Sequence, residues 1–422
     1  MSPAVICARS GIIKRKNCRM RHRLYVFPFA FLAAAAGTTS LAQTEYVNPH
    51  EAEEIGEVER IYSGDLPPDL AVSTFRNIHR LFPTATVEAG GTARELPSSE
   101  RQLAPIEADI DGQSYDLDDF LALNQVTGML VLKDGAVVYE TYQRGNTPET
   151  RWMSMSVVKS ITSTLVGAAL KDGHIGSLDD NVADYVPALE GSAYDGASIK
   201  DILLMASGAS WDETYTDPES DRRDLLRAQL AQEQGALMEV MAGLNRGAEP
   251  GIVHTYSTGE TQVLSEVVRG AVDKSVATYL SEKIWTPYGM ETDAEWWLDA
   301  PDGHVIGGSG LSATLRDYAR FGQFFLEGGG DVLPEGWTET AGQPQELETG
   351  EPIAYGYMWW PAWTDASKED DAFAAVGIQG QYVYINPAEN VVIAVTGAQP
   401  EPLGKEPVEP MAFFDAVVAA IE

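Results

Sequence analysis

The sequence predicts an α+β fold in which an antiparallel sheet, flanked by helices, is interrupted by an inserted and mostly helical region. Three observations support this fold class: a hairpin pattern at 129–139, helical periodicity at about 178–290, and short β-prone runs after residue 357. Strand patterns on both sides of a helical middle indicate one sheet that is completed by distant segments. A doubly wound sheet would instead alternate strands with helices throughout.

Composition narrows the possible functions. The chain of 422 residues contains 44% hydrophobic and 9% aromatic residues, which is typical of a packed globular protein with one large domain or two fused ones. Its 63 acidic against 29 basic residues give a formal net charge of −34. This charge excludes a general nucleic-acid binder, because such a protein must displace cations from the phosphate backbone. A soluble enzyme or a soluble binding protein remains.

The first 42 residues resemble an export signal. Basic residues precede an apolar run at 24–36, and small residues follow at Ser40 and Ala42. We therefore expect residues 1–42 to be a signal peptide that is cut after Ala42, and the mature protein to be periplasmic or secreted. The alternative is a short membrane anchor, but the run is short for a membrane span. No cysteine stands at the cut, so no stable membrane anchor is expected after cleavage.

Loss of residues 1–42 would change the chemistry available to the chain. It removes seven basic residues and no acidic residue, together with Cys7 and Cys18, the only cysteines. A chain without cysteine forms no disulfide and offers no thiolate nucleophile or cysteine metal ligand. Any catalysis must then use oxygen or nitrogen groups. The sequence leaves open whether Met1 or Met20 is the initiator.

We divide the rest of the chain into two parts. Residues 43–125 are acidic, with an amphipathic stretch near 70–81, and we interpret them as an N-terminal extension packed on the main body. Residues 126–422 are predicted to form the main domain. It opens on a hairpin whose Asp134-Gly135 pair suits a tight two-residue turn.

The other elements of the main domain are predicted from periodicity and from capping signals. The predicted helices lie at about 156–170, at 198–208 behind a capping box, at 230–244, at 260–271 and at 411–421, and the predicted strands at 357–360, 382–385 and 391–395, with 374–381 opening a strand.

Several familiar catalytic motifs are missing. The sequence contains no Gly-x-Ser-x-Gly elbow, no phosphate-binding loop and no dinucleotide fingerprint. The five histidines that follow residue 42 form neither His-x-His nor His-Glu-x-x-His; they are His50, His79, His174, His254 and His304. Metal catalysis and Ser-His-Asp catalysis therefore lack a basis, and no metal or cofactor is expected.

Ser156-Val157-Val158-Lys159 is the first candidate for chemistry. A spacing of three on a helix places two side chains on one face about 5–6 Å apart, so the lysine amine lies beside the serine hydroxyl. The first helical turn has unpaired N–H groups and a positive dipole, which favour an oxyanion there. A lysine among apolar residues is desolvated toward its neutral form and can activate the serine. The alternative is a capping serine with an exposed helix lysine.

Two further segments are candidates. Pro250-Gly251 leads to Tyr256 just before a helical run, and a phenol near an ammonium group is pushed toward phenolate, which can serve as a general base. A packed tyrosine with its hydroxyl at the surface is the alternative. Gly377 and Gly380 allow close approach to the backbone, where a strand-edge N–H can complete an oxyanion hole. A bulge without a ligand is the alternative there.

Together these segments resemble the serine β-lactamase/penicillin-binding-protein superfamily in its class C-like branch, and most closely the 6-aminohexanoate-dimer hydrolase-like serine hydrolases. The resemblance covers about residues 120–420 and implies a β-lactamase/transpeptidase-like fold. The matching phrases are Ser154-Met155-Ser156-Val157-Val158-Lys159-Ser160, Asp201-Ile202-Leu203-Leu204-Met205-Ala206-Ser207-Gly208, Tyr256-Ser257-Thr258-Gly259, Leu315-Arg316-Asp317-Tyr318-Ala319-Arg320-Phe321-Gly322 and Gly377-Ile378-Gln379-Gly380-Gln381.

The resemblance implies a role for each catalytic candidate. Ser156 would be the nucleophile, Lys159 its proton partner, and Tyr256 the base and later the acid. The backbone N–H groups of Ser156 and Ile378 would form the oxyanion hole.

On the substrate side, Tyr215 matches a family tyrosine that closes over the substrate, and Gly377 and Gln379 are further substrate-binding candidates. Two positions depart from the β-lactamase pattern: Ala375-Val376-Gly377 replaces a triplet with a cation and a hydroxyl, and Thr258 replaces the usual asparagine. Both departures weigh against strong penicillinase or peptidoglycan activity. Four aromatic residues either wall an apolar acyl pocket or belong to the core: Trp359, Trp360, Tyr382 and Tyr384.

The sequence therefore predicts an exported serine hydrolase that cleaves small carboxylic esters or linear amides through an acyl-enzyme on Ser156. Its expected partner is a small-molecule ester or amide, not a nucleic acid, and its oligomeric state is left open. A β-lactamase or D,D-peptidase is the alternative within the enzymes. A non-catalytic penicillin-binding-like sensor is the alternative from another class.

Overall fold

A computed structural model describes residues 48–404 and 406–421, and these residues belong to one compact unit. The predicted signal peptide, residues 1–42, lies outside the described residues. None of the described helices has the length and apolar composition that crossing a membrane requires.

The described segments contain the following helices and strands. The helices are α1 (Val58–Ser63), α2 (Pro68–Arg76), α3 (Leu117–Leu123), α4 (Val157–Lys171), α5 (Val182–Tyr185), α6 (Ile199–Leu203), α7 (Asp221–Ala231), α8 (Ala236–Ala242), α9 (Thr258–Val272), α10 (Val276–Leu280), α11 (Thr286–Tyr288), α12 (Leu315–Leu326), α13 (Trp337–Gly342), α14 (Asp365–Glu369) and α15 (Pro410–Ile421). The strands are β1 (Thr84–Val87), β2 (Glu107–Ile110), β3 (Gln113–Asp116), β4 (Val126–Lys133), β5 (Ala136–Tyr142), β6 (Arg151–Met153), β7 (Ala294–Trp297), β8 (Leu311–Thr314), β9 (Gln345–Glu346), β10 (Pro352–Ile353), β11 (Trp360–Pro361), β12 (Phe373–Gly377), β13 (Gln381–Asn386) and β14 (Val391–Gly397).

The main sheet joins the two ends of the domain, as the sequence predicts. Its strand order is β11-β12-β13-β14-β4-β5, and every neighbouring pair is antiparallel. The predicted hairpin forms the β4–β5 edge, where Asp134 and Gly135 have φ values of 52° and 76°. Positive φ at both central residues is what a two-residue turn matching the strand twist requires. The predicted α+β fold class is confirmed.

Helices cover both faces of the main sheet. Successive residues of each strand point to opposite faces, so Leu130 belongs to one apolar cluster and Val131 to the other. Helices α4 and α12 pack on the first face, and α9 packs against α4. On the second face lie α3 and α15, where the rings of Phe120 and Phe413 stack at 4.2 Å.

A second sheet, which the sequence does not predict, has the order β1-β7-β8-β6. Its strands are three or four residues long, and most of its partners are far apart in the chain. Strand β1 belongs to the predicted N-terminal extension, and β6 leads into the Ser156 segment. This sheet therefore places an N-terminal strand in the same sheet as the segment that carries the candidate nucleophile.

The structure corrects two predicted helices. The predicted helix at 230–244 is divided between α7 and α8, because Gln232 and Gly235 have left-handed backbones with φ values of 52° and 86°. The capping box of Ser198 opens α6 as predicted, but α6 ends at Leu203 rather than at Gly208.

Two predicted strand segments also differ. Of the predicted strand at 357–360, only Trp360 is extended in β11, since Met358 has a left-handed φ of 59°. The segment at 374–381, predicted to open a strand, contains most of β12 and ends on Gln381, the first residue of β13. It closes β12 at Gly377, and Gly380, with a φ of 88°, turns the chain into β13.

A buried acid in α9 leads to a prediction about stability. Glu260 is 3% exposed, accepts a hydrogen bond from Ser207 Oγ, and has a pKa that burial raises to about 8. The unfolded chain releases this proton near its ordinary pKa of 4.5, so the free energy of unfolding falls as the pH rises through the window from 4.5 to about 8. Glu260→Gln carries no charge at this position. Its free energy of unfolding is therefore expected to fall less than that of wild type across this window. Melting temperatures of both proteins across that window test it, and parallel curves would contradict it.

Candidate active site

Ser156 lies where β6 turns into α4. Met155 before it has a left-handed φ of 43°, a conformation that costs a residue with a side chain on the order of 1 kcal/mol. Ser156 is the residue that precedes α4, yet its side chain makes no capping hydrogen bond. The capping alternative is therefore wrong, and Ser156, which is 8% exposed, lines a cavity.

Lys159 reaches Ser156 from inside the protein. The residue is 1% exposed, and Nζ lies 2.8 Å from Ser156 Oγ and 2.5 Å from the carbonyl oxygen of Gly308. The alternative of an exposed helix lysine is thus wrong as well. Burial lowers the pKa of Lys159 to about 7, although the carboxylate of Glu213 opposes the shift. Near neutral pH a large fraction of this amine is therefore unprotonated and able to accept a proton.

Tyr256 completes the cluster from the segment that leads into α9. Its ring centroid lies 5.5 Å from Lys159 Nζ, and its phenol is near enough to the Ser156 side chain for that side chain to lower its pKa. Burial raises the pKa of Tyr256, and the negative charge of Glu213 raises it further. The prediction that an ammonium group pushes this phenol toward phenolate is therefore wrong for the free protein. Of the two groups, Lys159 is therefore the one that releases its proton more readily near neutral pH.

The end of β12 lies against the beginning of α4. A Cβ atom on Gly377 would stand 2.7 Å from the carbonyl oxygen of Ser154 and 3.1 Å from the amide nitrogen of Ser156, so no larger residue fits without a shift. Ile378 follows directly, and it lines the same cavity as Ser156. The structure thus brings together the two residues whose N–H groups are predicted to form an oxyanion hole.

The cavity has a volume of about 670 Å³. Tyr215 lines it, as predicted, and so does Trp360, whose ring lies 5.5 Å from that of Tyr256. The other aromatic candidates, Trp359, Tyr382 and Tyr384, belong to the core clusters. The lining residues are Ser156, Glu213, Thr214, Tyr215, Thr216, Tyr256, Trp360, Val376, Ile378, Glu401, Pro402 and Leu403.

The structure contradicts a substrate-binding role for the side chain of Gln379. It is 1% exposed and does not line the cavity. Its Nε2 donates to the carbonyl oxygen of Ile61 at 2.9 Å, which ties the turn after β12 to α1. The sequence pattern could not separate a side chain facing the cavity from one facing the N-terminal segment.

Glu213 is a site residue that no sequence motif indicates. Its Oε2 accepts hydrogen bonds from the backbone N–H of Thr258 at 2.9 Å and from Trp211 Nε1 at 2.5 Å, and its Oε1 accepts one from Thr258 Oγ1 at 2.5 Å. Thr258 is the first residue of α9, so the carboxylate lies at the positive end of a helix. The available signal was Thr258 itself, which departs from the family pattern and here binds this acid.

Gly308 is a second residue that was missed. Its carbonyl oxygen accepts the hydrogen bond that holds Lys159, and a Cβ atom on it would lie 2.7 Å from Thr258 Cγ2 and 3.6 Å from Lys159 Nζ. The glycine-rich stretch Gly307-Gly308-Ser309-Gly310 was the signal, because adjacent glycines mark close packing of the backbone.

Comparisons with known proteins agree with this geometry. The chain is similar to the 6-aminohexanoate-dimer hydrolase of Paenarthrobacter ureafaciens, with 29% identity over 346 residues, which covers 78% of this chain and 85% of the relative. A solved structure from Bacillus anthracis, described as a candidate 6-aminohexanoate-dimer hydrolase, superposes with a TM-score of 0.75 at 22% identity and covers 87% of this chain and 98% of its own. A class C beta-lactamase superposes with a TM-score of 0.53 at 17% identity, over 72% of this chain and 94% of that one.

The family model described as Beta-lactamase matches residues 118–417, which is most of the chain and contains every catalytic candidate. The solved structures support the fold, and the family model supports the predicted superfamily. This chain therefore belongs to the Beta-lactamase family, within the serine hydrolase superfamily that the sequence predicts.

Proposed function

We propose that this protein is a serine hydrolase that cleaves small carboxylic esters or linear amides through an acyl-enzyme on Ser156. The observation that carries the proposal is the 2.8 Å contact between Ser156 Oγ, at the wall of an open cavity, and the buried amine of Lys159. A serine becomes a nucleophile when an adjacent base accepts its proton, and a desolvated lysine is such a base.

In the proposed acylation, neutral Lys159 accepts the hydroxyl proton while Ser156 Oγ bonds to the substrate carbonyl carbon. The N–H groups of Ser156 and Ile378 stabilise the resulting oxyanion. The phenol of Tyr256 then donates its proton to the leaving oxygen or nitrogen as the C–O or C–N bond breaks. A proton passes from the Lys159 ammonium group back to Tyr256, which leaves the amine neutral.

Deacylation repeats these steps with water as the nucleophile. The neutral amine of Lys159 accepts a proton from water as its oxygen attacks the acyl carbon, and the bond to Ser156 Oγ breaks. The phenol of Tyr256 donates its proton to the oxygen of Ser156 as that bond breaks, the Lys159 ammonium group returns a proton to Tyr256, and the carboxylic acid product leaves. One set of groups thus serves both half-reactions in the same roles, with water in place of the hydroxyl of Ser156.

The cavity wall supports neutral or cationic substrates. It contains the acidic residues Glu213 and Glu401, and no basic side chain is among the residues that line it. The apolar surfaces of Trp360, Val376 and Leu403 suit an acyl chain. Penicillins carry a carboxylate and a net negative charge, which these acids would disfavour, whereas a linear amide formed from amino acids also carries an ammonium group that they would attract. An amide substrate also agrees with the name of the 29%-identical relative, a hydrolase of an aminohexanoate dimer.

A substrate panel tests the proposal. Wild type and Ser156→Ala are assayed with a p-nitrophenyl ester, a linear amide, nitrocefin and a D-Ala-D-Ala peptide. We expect turnover of the ester or the amide by wild type alone. Efficient turnover of nitrocefin or of the peptide would instead support the β-lactamase or D,D-peptidase alternative. No turnover, together with no labelling by a fluorophosphonate, would support the non-catalytic sensor.

The pKa of Lys159 leads to a prediction about pH dependence. The unprotonated amine is the active form, so kcat/KM for the ester is expected to rise with pH through a midpoint near its pKa of about 7 and then to level off. The carboxylate of Glu213 raises the pKa of Lys159, so Glu213→Gln is expected to move the midpoint to lower pH. A midpoint that stays in place, or a rate that falls through this range, would contradict the assignment of Lys159 as the base.

We also propose that the protein is exported and that residues 1–42 are its signal peptide. The basic start, the apolar run at 24–36 and the small residues before Gln43 support this proposal. N-terminal sequencing of protein from fractionated cells tests it. A periplasmic or secreted form that begins at Gln43 is expected, and a cytosolic form that retains residues 24–36 would overturn it.

A further inference from the structure

The N-terminal helix α1 lies outside residues 118–417, which the family model matches, yet it contacts the lining residue Tyr215 and the turn that follows the lining residue Ile378. On one side, the ring of Tyr62 stacks on that of Tyr215, with centroids 6.3 Å apart and planes at 22°. On the other side, the carbonyl oxygen of Ile61 accepts the hydrogen bond from Gln379, which directly follows the oxyanion-hole candidate Ile378. Neighbouring residues of one short helix thus contact one residue that lines the cavity and one that directly follows a lining residue.

A buried guanidinium strengthens the first contact. Arg222 is 2% exposed, its Nη2 donates to the hydroxyl of Tyr62 at 2.6 Å, and its Cζ lies 4.4 Å from the centre of the Tyr62 ring. Within the described part of the chain, Nε and Nη1 of Arg222 have no hydrogen-bond partner. Because a buried charge with few partners is costly, the hydroxyl of Tyr62 has a large influence on where this guanidinium lies.

The position of Arg222 matters because its Nε lies 3.9 Å from Oε1 of Glu213. Glu213 lines the cavity, and both of these charges act on the pKa of Lys159, in opposite directions. The next residue, Arg223, reinforces the connection, since its Nη1 donates to the carbonyl oxygen of Tyr215 at 3.0 Å and to Ser63 Oγ at 3.3 Å. Helix α1 is therefore joined to residues 213–215 directly by an aromatic stack, and through Arg222 and Arg223 by hydrogen bonds and an ion pair.

We propose that Tyr62 is a positioning residue of the catalytic site, which holds Tyr215 against the cavity by stacking and holds Arg222 beside Glu213 through its hydroxyl. The effect of this role on KM rests on the proposed hydrolase function. Its effect on the positions of Tyr215 and Arg222 does not depend on that function. The N-terminal extension then positions residues of the substrate cavity and does more than pack on the outside of the main domain.

The test compares Tyr62→Leu and Tyr62→Phe with the control Phe82→Leu. Phe82 also belongs to the N-terminal extension and also makes an aromatic stack, on Trp297 at 5.3 Å, but neither ring lines the cavity. For Tyr62→Leu we expect KM for the ester to rise about tenfold, because an aromatic pair is worth up to about one factor of ten. Its kcat should change less than its KM. Phe82→Leu should lower the melting temperature without raising KM.

Amide hydrogen exchange supplies a readout that needs no catalysis. Tyr62→Leu is expected to accelerate exchange at residues 211–220, and Phe82→Leu is expected to leave that segment protected. Tyr62→Phe retains the stack and loses the acceptor of Arg222, so its KM should stay near that of wild type while exchange at 221–224 increases. Tyr62→Phe also serves as the test if Tyr62→Leu does not fold. Unchanged exchange at 211–224 in the Tyr62 variants would overturn the proposal, whereas an inactive wild type would overturn the hydrolase function alone.

Discussion

Ser156→Ala is expected to lower kcat/KM for an ester or amide substrate by on the order of 10⁴-fold or more, because the variant has no atom on which an acyl-enzyme can form. Folding should be intact. The hydroxyl makes no capping bond to α4, and Lys159 retains the carbonyl oxygen of Gly308 as a partner. We therefore expect the free energy of unfolding to change by less than about 1 kcal/mol. Steady-state kinetics and thermal denaturation of the same preparations check both expectations.

The residual rate of Ser156→Ala also distinguishes two mechanisms. If the buried amine activated water directly, without a covalent intermediate, loss of the hydroxyl would leave much of the activity. A variant that is folded and that retains more than about one tenth of the wild-type rate would therefore contradict the nucleophile assignment.

Lys159→Met is expected to lower kcat by on the order of 10³-fold or more, because residues that act as a unit with a nucleophile are nearly as damaging to lose as the nucleophile itself. Lys159→Arg should be similarly inactive, since a guanidinium does not release its proton in a protein. The matched control is Lys171→Met, which changes an exposed lysine at the other end of the same helix and should leave kcat unchanged. An active Lys159→Arg would show that this position supplies charge rather than a base.

Lys159→Met should be more stable than wild type near neutral pH. Burial lowers the pKa of Lys159 from its ordinary value of 10.5 to about 7, so between these values the folded state binds fewer protons than the unfolded state. The free energy of unfolding therefore rises with pH across this window, and it is lowest below pH 7, where the buried amine is charged. Lys159→Met lacks this pH dependence and is expected to melt higher at pH 6 to about pH 7. Equal melting temperatures throughout would contradict the burial argument.

Local patterns predicted those parts of the site that lie close together in the chain. The three-residue spacing of Ser156 and Lys159 is enough to place both on one face of α4, because the helix geometry fixes their separation. The hairpin at Asp134-Gly135 was predictable because its turn and its two strands are also close together in the chain. Tyr256 lies 100 residues from Ser156, and only the resemblance to a known family connected the two.

The features of the site that the sequence did not predict depend on contacts between segments that are distant in the chain. Glu213 joins the site through Thr258, which is 45 residues away, and Gln379 turns from the cavity because Ile61, 318 residues away, accepts its hydrogen bond. Neither partnership has a sequence spacing that a pattern can recognise. The predicted helix and strand boundaries were wrong where residues other than glycine adopt a left-handed backbone, as at Gln232 and Met358. The sequence signals that usually mark the end of an element are glycine and proline, and neither residue is one of these.

The account depends most on the covalent intermediate, and the most direct measurement is the intact mass of the protein during turnover. A slowly hydrolysed ester is mixed with wild type, the reaction is stopped with acid, and the protein is weighed and then digested. We predict a mass increase equal to the acyl group, located on Ser156 and absent from Ser156→Ala. An unchanged mass while product accumulates, or an acyl group located on any other residue, would contradict the proposed mechanism.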